Sequence, residues 1–196
     1  MEYLFRVSPG RRTLFLWVGL QLLLSSVFLI SFWTHRGAWQ NVPSVPSGFG
    51  AEGGFVATLL FILSRNLLIC LLIVAGNIFL RFGWFTPGLA ILILQGLGIG
   101  WLAGSNGFEV PFASVAAANM QYLRIGLWET TAYALACAVT LPKSLNISDT
   151  FPAKKWTQTR KLKDVKFNTA EIWVSVFAGG VLVIAAAIEA FVLCAS

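Results

Sequence analysis

The chain has 196 residues, 57% of them hydrophobic and only 11% charged, with a mean hydropathy of +0.77. A soluble domain averages about a quarter charged residues. Here the apolar residues run on for about twenty at a time, the length that crosses roughly 30 Å of hydrocarbon, without amphipathic periodicity. These features exclude an ordinary soluble domain and predict an all-α integral membrane bundle of about five transmembrane helices. The formal net charge of +6 then marks which segments stay in the cytoplasm, not a nucleic-acid partner.

Arg6, Arg11 and Arg12 precede the first apolar run, so residues 14–33 are expected to form an uncleaved first span with the N-terminus inside. The run is too long for a signal-peptide core, and no small-residue cleavage site follows it. Residues 34–54 are rich in Pro, Gly and Ser and read as an outer loop, with Trp33 and Trp39 suited to the interfacial belt. The second run, 55–80, carries Arg65-Asn66 near its middle and Asn77 further on. Its length leaves two readings open. It is either one long span or a short interfacial helix over 55–65 leading into a shorter span, which would bring Arg65 nearer the surface.

Arg81 and the turn Gly83–Gly88 follow on the inside, with Pro87 in the first turn of the next helix. The third span, 88–104, carries Gly96, Gly100 and Gly104 at a spacing of four, one smooth stripe for close helix packing. Gly96 and Gly98 do not make a dinucleotide fingerprint, since no strand precedes them and their neighbours are apolar. A short outer loop with Glu109 and Pro111 leads to a fourth span, 116–141.

That fourth span is the unusual one, because it carries Arg124 and Glu129 within an apolar run. A charge near the centre of a membrane helix costs roughly 2.5–3.5 kcal/mol on insertion scales. Such charges are expected to be paired or to face a cavity or a partner. The loop 142–170 then holds Lys143, Lys154, Lys155, Arg160, Lys161, Lys163 and Lys166 against Asp149 and Asp164, which predicts a cytoplasmic loop able to lie on anionic headgroups. The Asn146-Ile-Ser148 sequon falls on this face and reads as chance. The fifth span, 171–193, contains Glu189.

Arg65, Arg124, Glu129 and Glu189 sit at compatible depths. They read either as interhelical pairs that fix helix order or as a polar site for an ion, a peptide or a partner helix. Asn66, Asn77, Gln95 and Asn119 read as interhelix hydrogen-bonding groups. Cys70, Cys137 and Cys194 lack metal-ligand spacing and read as small buried hydrophobes. His35, the only histidine, lies in a loop, and no zinc pair, Walker loop or nucleophile elbow is present. The expectation is therefore a non-enzyme with no cofactor and no metal.

Three short motifs carry a family likeness: Arg65-Asn66-Leu67 within the second run, Arg124-Ile-Gly126-Leu-Trp-Glu129, and Ala187-Ile-Glu189-Ala-Phe191. Over roughly residues 55–196 the chain resembles the stage II sporulation protein M family of bacterial membrane proteins. In that family the first motif often reads as an asparagine pair and the second as Pro-His-Gly-x-x-Glu. The closing span ends in an Ile-Glu-Ala-Phe-like sequence. Arg124-Ile125 stands here where the family favours Pro-His, so no role of that histidine carries over. Gly126, Glu129 and Glu189 do.

The resemblance implies a multi-pass protein of the bacterial plasma membrane that works in a complex. Members act with cell-wall hydrolases in engulfment, relatives accompany export or maturation systems for circular peptides, and many members occur in bacteria that never sporulate. Two functions are expected from residues and resemblance together. The first is a non-enzymatic scaffold or accessory subunit, with lipids and other membrane subunits, including an ABC-type or export system, as partners. The second is a permease-like transport component working with an ATPase. Homo-oligomerisation stays open, and no visible inverted repeat favours an autonomous transporter.

Overall fold

The computed structural model describes residues 3–40, 54–108 and 110–195. Glu109 and most of the expected outer loop 34–54 lie outside them. The fold is all-α: α1 (Tyr3–Arg6), α2 (Pro9–Thr34), α3 (Gly54–Phe79), α4 (Pro87–Ser105), α5 (Val115–Gln121), α6 (Leu127–Thr140) and α7 (Thr169–Ala195). Three short strands, β1 (Leu80–Phe82), β2 (Asn146–Ser148) and β3 (Thr157–Gln158), form a small sheet in which β2 pairs parallel to β1 and antiparallel to β3.

Four helices (α2, α3, α4 and α7) are each long and apolar enough to cross a bilayer. The expected fourth span is built in three pieces that follow without a break. These are α5, a π-helical turn at Tyr122–Gly126, and α6. The run 55–80 resolves in favour of one helix. Nothing interrupts α3, so Arg65 lies near its middle and no separate interfacial helix forms.

The interior is mainly apolar, but the surface is apolar as well and the interior admits several polar side chains. Leu22, Leu29, Phe61, Leu94, Phe177 and Phe191 are exposed, while Ser31, Asn66, Asn77, Thr86, Thr130 and Thr140 are buried. In lipid the apolar side chains gain nothing by leaving the surface. Association rests on close packing of small residues and on interhelix hydrogen bonds. The exposed faces are the lipid-facing faces of a membrane protein, because such large apolar areas are not left in water.

The glycine stripe of α4 packs along α2, and the two helices run parallel. A Cβ at Gly96 would meet Leu20 Cδ1 at 2.8 Å, and one at Gly100 would meet the Leu24 carbonyl oxygen at 2.6 Å. One at Gly104 would meet Ser31 Cβ at 2.7 Å. This approach lets Ser31 donate to the Trp101 carbonyl at 2.8 Å and Trp39 Nε1 donate to that of Gly104 at 2.8 Å. Gly98 faces open space, so the close approach runs along the every-fourth-residue row alone.

One end of the bundle gathers most of the basic residues, and a buried polar web closes it. Thr86 caps α4, accepting from Leu89 N at 3.1 Å, with Pro87 in the first turn, where no N–H is needed. The Thr86 hydroxyl donates to Asn77 Oδ1 at 2.6 Å, Asn77 Nδ2 donates to Thr140 Oγ1 at 2.9 Å, and Ser144 donates to the Asn77 carbonyl at 2.8 Å. Arg12 is 4% exposed, and its guanidinium donates to the carbonyls of Leu4, Val7 and Ala138 at 2.6, 2.8 and 2.8 Å. It thus ties the N-terminal segment to the end of α6. At the start of α7, Glu171 N donates to Asn168 Oδ1 and Asn168 N to Glu171 Oε2, both at 2.9 Å, a reciprocal capping box. Lys143 Nζ pairs with the same Glu171 oxygen at 2.8 Å.

Candidate functional site

Within the membrane-spanning part, α3, α6 and α7 meet around polar groups. Each helix brings its group inward by spacing. On α7 the buried residues Ala178, Val181, Leu182, Ala185, Ala186 and Ala190 recur every three or four positions, and Glu189 lies in that stripe. On α6, Glu129 and Tyr133 are one turn apart on the face turned to α3. On α3, Asn66 occupies the same buried line as Ile62 and Ile73.

Asn66 is the hub. Its Nδ2 donates to Glu129 Oε1, and its Oδ1 accepts from the Tyr133 hydroxyl at 2.8 Å. Tyr133 is 2% exposed and Asn66 7%, so neither has water to fall back on. The Glu189 carboxyl lies close to that of Glu129, and Arg65 lies within electrostatic reach of both carboxyls. Interhelix hydrogen bonds in membranes contribute about 0.6 kcal/mol each on average. Leaving one such group buried without its partner costs more, about 1–3 kcal/mol. The cluster therefore specifies how three helices register more than it adds to stability.

Beside it lies a second polar chain, between α2 and the π turn. Tyr122 donates to Gln21 Oε1, Gln21 Nε2 donates to Thr130 Oγ1 at 3.3 Å, and Thr130 donates to the Gly126 carbonyl at 2.8 Å. Gly126 serves this chain sterically, since a Cβ there would meet the Tyr122 ring at 2.6 Å. Trp17 Nε1 adds a bond to Thr131 at 2.9 Å.

The residues singled out from sequence thus separate into groups. Asn66, Glu129 and Glu189 come together, with Arg65 beside them. Gly126 sits apart from them under the Tyr122 ring, toward α2. Arg124, on the π turn, is exposed and has no hydrogen-bond or ion-pair partner among the described residues. Arg65 is exposed too, and none of the four charges forms a salt bridge among the described residues, so the expected charge pairing is replaced by the hydrogen bonds of Asn66. Asn77 makes its interhelix bonds. Gln95 and the exposed Asn119 make none among the described residues.

Lys154, Lys155, Arg160, Lys161 and Lys163 lie at the basic end with Arg12 and Arg81, far along the chain fold from the Glu129 cluster. Two surface grooves on the helices are apolar. One is lined by Val27, Ile30, Leu94, Leu97, Trp101 and Leu102, and another by Leu67, Cys70, Leu71, Val74, Ala178 and Leu182.

Sequence reasoning missed Tyr133, Gln21, Tyr122 and the buried role of Arg12. Only the Asn168-x-x-Glu171 capping box left a readable local signal. No protein-family model, curated protein or solved structure matches the chain.

Proposed function

We propose that the chain is a non-enzymatic scaffold or accessory subunit of a larger complex in the bacterial plasma membrane, with its basic end in the cytoplasm. The observation that carries this reading is the interhelix cluster in which Asn66 bonds to both Glu129 and Tyr133, with Glu189 beside it. Its polar groups are spent on joining neighbouring helices, with Asn66 of α3 bonded to Glu129 and Tyr133 of α6, as a fixed framework requires. Three of the positions that support the resemblance to the stage II sporulation protein M family, Asn66, Glu129 and Glu189, fall in this one cluster. The same resemblance favours work within a complex. Arg124 supplies the complementary feature, a guanidinium left for an acidic group on a partner helix.

The test is gentle detergent extraction from native membranes followed by recovery of the tagged protein and identification of what accompanies it. Stoichiometric membrane partners, reduced by Arg124→Gln without a change in thermal stability, are the expected result. Recovery of the protein alone, as a defined homo-oligomer, would overturn the accessory-subunit reading. It would favour the transport component, to be examined by ion and peptide flux.

A further inference from the structure

The basic loop is folded, and it is not only basic. Strand pairing of β1 with β2 and β2 with β3 pins it to the end of α3. Thr159 N donates to the Leu145 carbonyl at 2.8 Å and Gly83 N to that of Ser148 at 2.7 Å. On this small platform Phe82 packs edge-on against both Phe151 and Trp156, with ring centroids 5.1 Å apart in each case.

Phe151 is nevertheless 77% exposed and Trp156 42% exposed, and Lys154 and Lys155 lie between them in sequence, both exposed. Leu162, 60% exposed, is likewise flanked by the exposed Lys161 and Lys163. Lys143 is already engaged by Glu171, so the remaining six cations of the loop face only Asp149 and Asp164. A loop that only fixes topology needs the charges but not the exposed aromatics. Aromatic and aliphatic side chains interleaved with lysines suit a headgroup boundary, where rings sit among acyl carbonyls and ammonium groups meet phosphates. The platform caps the ends of α3, α4 and α6, so that boundary is continuous with the bundle's own lipid-facing surface.

We propose that this platform is a binding surface for anionic phospholipid headgroups of the adjacent leaflet, with Lys154, Lys155, Lys161 and Lys163 holding phosphates and Phe151, Trp156 and Leu162 inserted beside them. The inference is independent of the accessory-subunit reading, because it concerns the purified chain and lipid alone.

The experiment follows thermal unfolding of the purified full-length protein in neutral detergent with added phosphatidylglycerol, phosphatidylcholine or inorganic phosphate. At a hundredfold excess over its dissociation constant, phosphatidylglycerol should raise Tm by about 5–10 °C. Phosphatidylcholine and inorganic phosphate should each do far less. The combined variant K154Q/K155Q/K161Q/K163Q should keep the starting Tm and lose most of the shift, and 0.5 M salt should suppress the wild-type shift.

Equal shifts with phosphatidylcholine would overturn the proposal as generic solvation by lipid. Equal shifts with inorganic phosphate would overturn it in favour of a soluble anion. A full phosphatidylglycerol shift in the variant would overturn the assignment to these lysines, and no shift at all would leave the surface to an acidic protein partner. Should the variant unfold, Phe151→Ser and the wild-type salt dependence decide the matter by the same criteria.

Discussion

The contact between α2 and α4 gives a graded prediction, because four glycines on one helix differ in what a methyl group would strike. At Gly100 the new Cβ would lie 2.6 Å from the Leu24 carbonyl oxygen and 3.0 Å from Val27 Cβ. The first of these is backbone and cannot rotate away. Relief requires α2 and α4 to separate by about 0.5–1 Å, which forfeits a quarter to a half of each van der Waals well along the seam. It also stretches the Ser31–Trp101 and Trp39–Gly104 bonds. Gly100→Ala should therefore cost about 1–3 kcal/mol, a Tm drop of roughly 2–10 °C for a chain of this size.

Gly104→Ala, which strikes the Phe28 carbonyl and Ser31 Cβ, should be at least as severe. At Gly96 the nearest obstacle is Leu20 Cδ1 at 2.8 Å, the far end of a flexible side chain, so less than about 1 kcal/mol is expected. Gly98 meets nothing within 4 Å. Gly98→Ala should be neutral or gain up to about 1 kcal/mol from reduced backbone entropy in the unfolded chain. Circular dichroism melts of the four purified variants in one detergent supply the comparison. A drop for Gly98→Ala equal to that for Gly100→Ala would refute the packing argument, since flexibility alone would then explain both.

Three further outcomes are expected. Arg12→Gln should lower stability by about 2–4 kcal/mol, because three carbonyls lose a charged donor, whereas Arg11→Gln on the exposed neighbouring position should change it by less than about 0.5 kcal/mol; parallel melts decide. Asn66→Leu should destabilise more than Glu129→Gln, by about 1–3 kcal/mol against about 1 kcal/mol or less, since the leucine strands both Glu129 and Tyr133 while glutamine still accepts from Asn66; equal effects would mean that charge, not hydrogen bonding, matters at this site. Asn168→Ala should cost about 1 kcal/mol by uncapping α7, and Glu171→Gln should cost at least as much because it also breaks the pair with Lys143; hydrogen exchange at the first turn of α7 should report both changes.

The sequence by itself determined that this is a helical membrane protein and roughly where its apolar helices lie, because the need to satisfy every backbone group in hydrocarbon makes uninterrupted apolar runs diagnostic. The spacing of Gly96, Gly100 and Gly104 likewise announced a close helix contact, since a period of four is a property of one helix alone. It could not say that α2 is the neighbour. That depends on which helix presents a matching line, here Leu20, Leu24 and Phe28. Asn66, Glu129 and Glu189 stood out individually as expensive residues in lipid, yet their meeting was decided by the tertiary packing of α3, α6 and α7.

The same packing recruited Tyr133, which carries no signal in sequence because a tyrosine in an apolar run is ordinary. It left Arg124 exposed on the π turn, outside the cluster that Glu129 joins. Arg12 shows the limit most clearly. From sequence it is one of three arginines before a span, indistinguishable from Arg11. Only the arrival of α6's carbonyl end, 126 residues further along, makes it the buried tie that closes the basic end of the bundle.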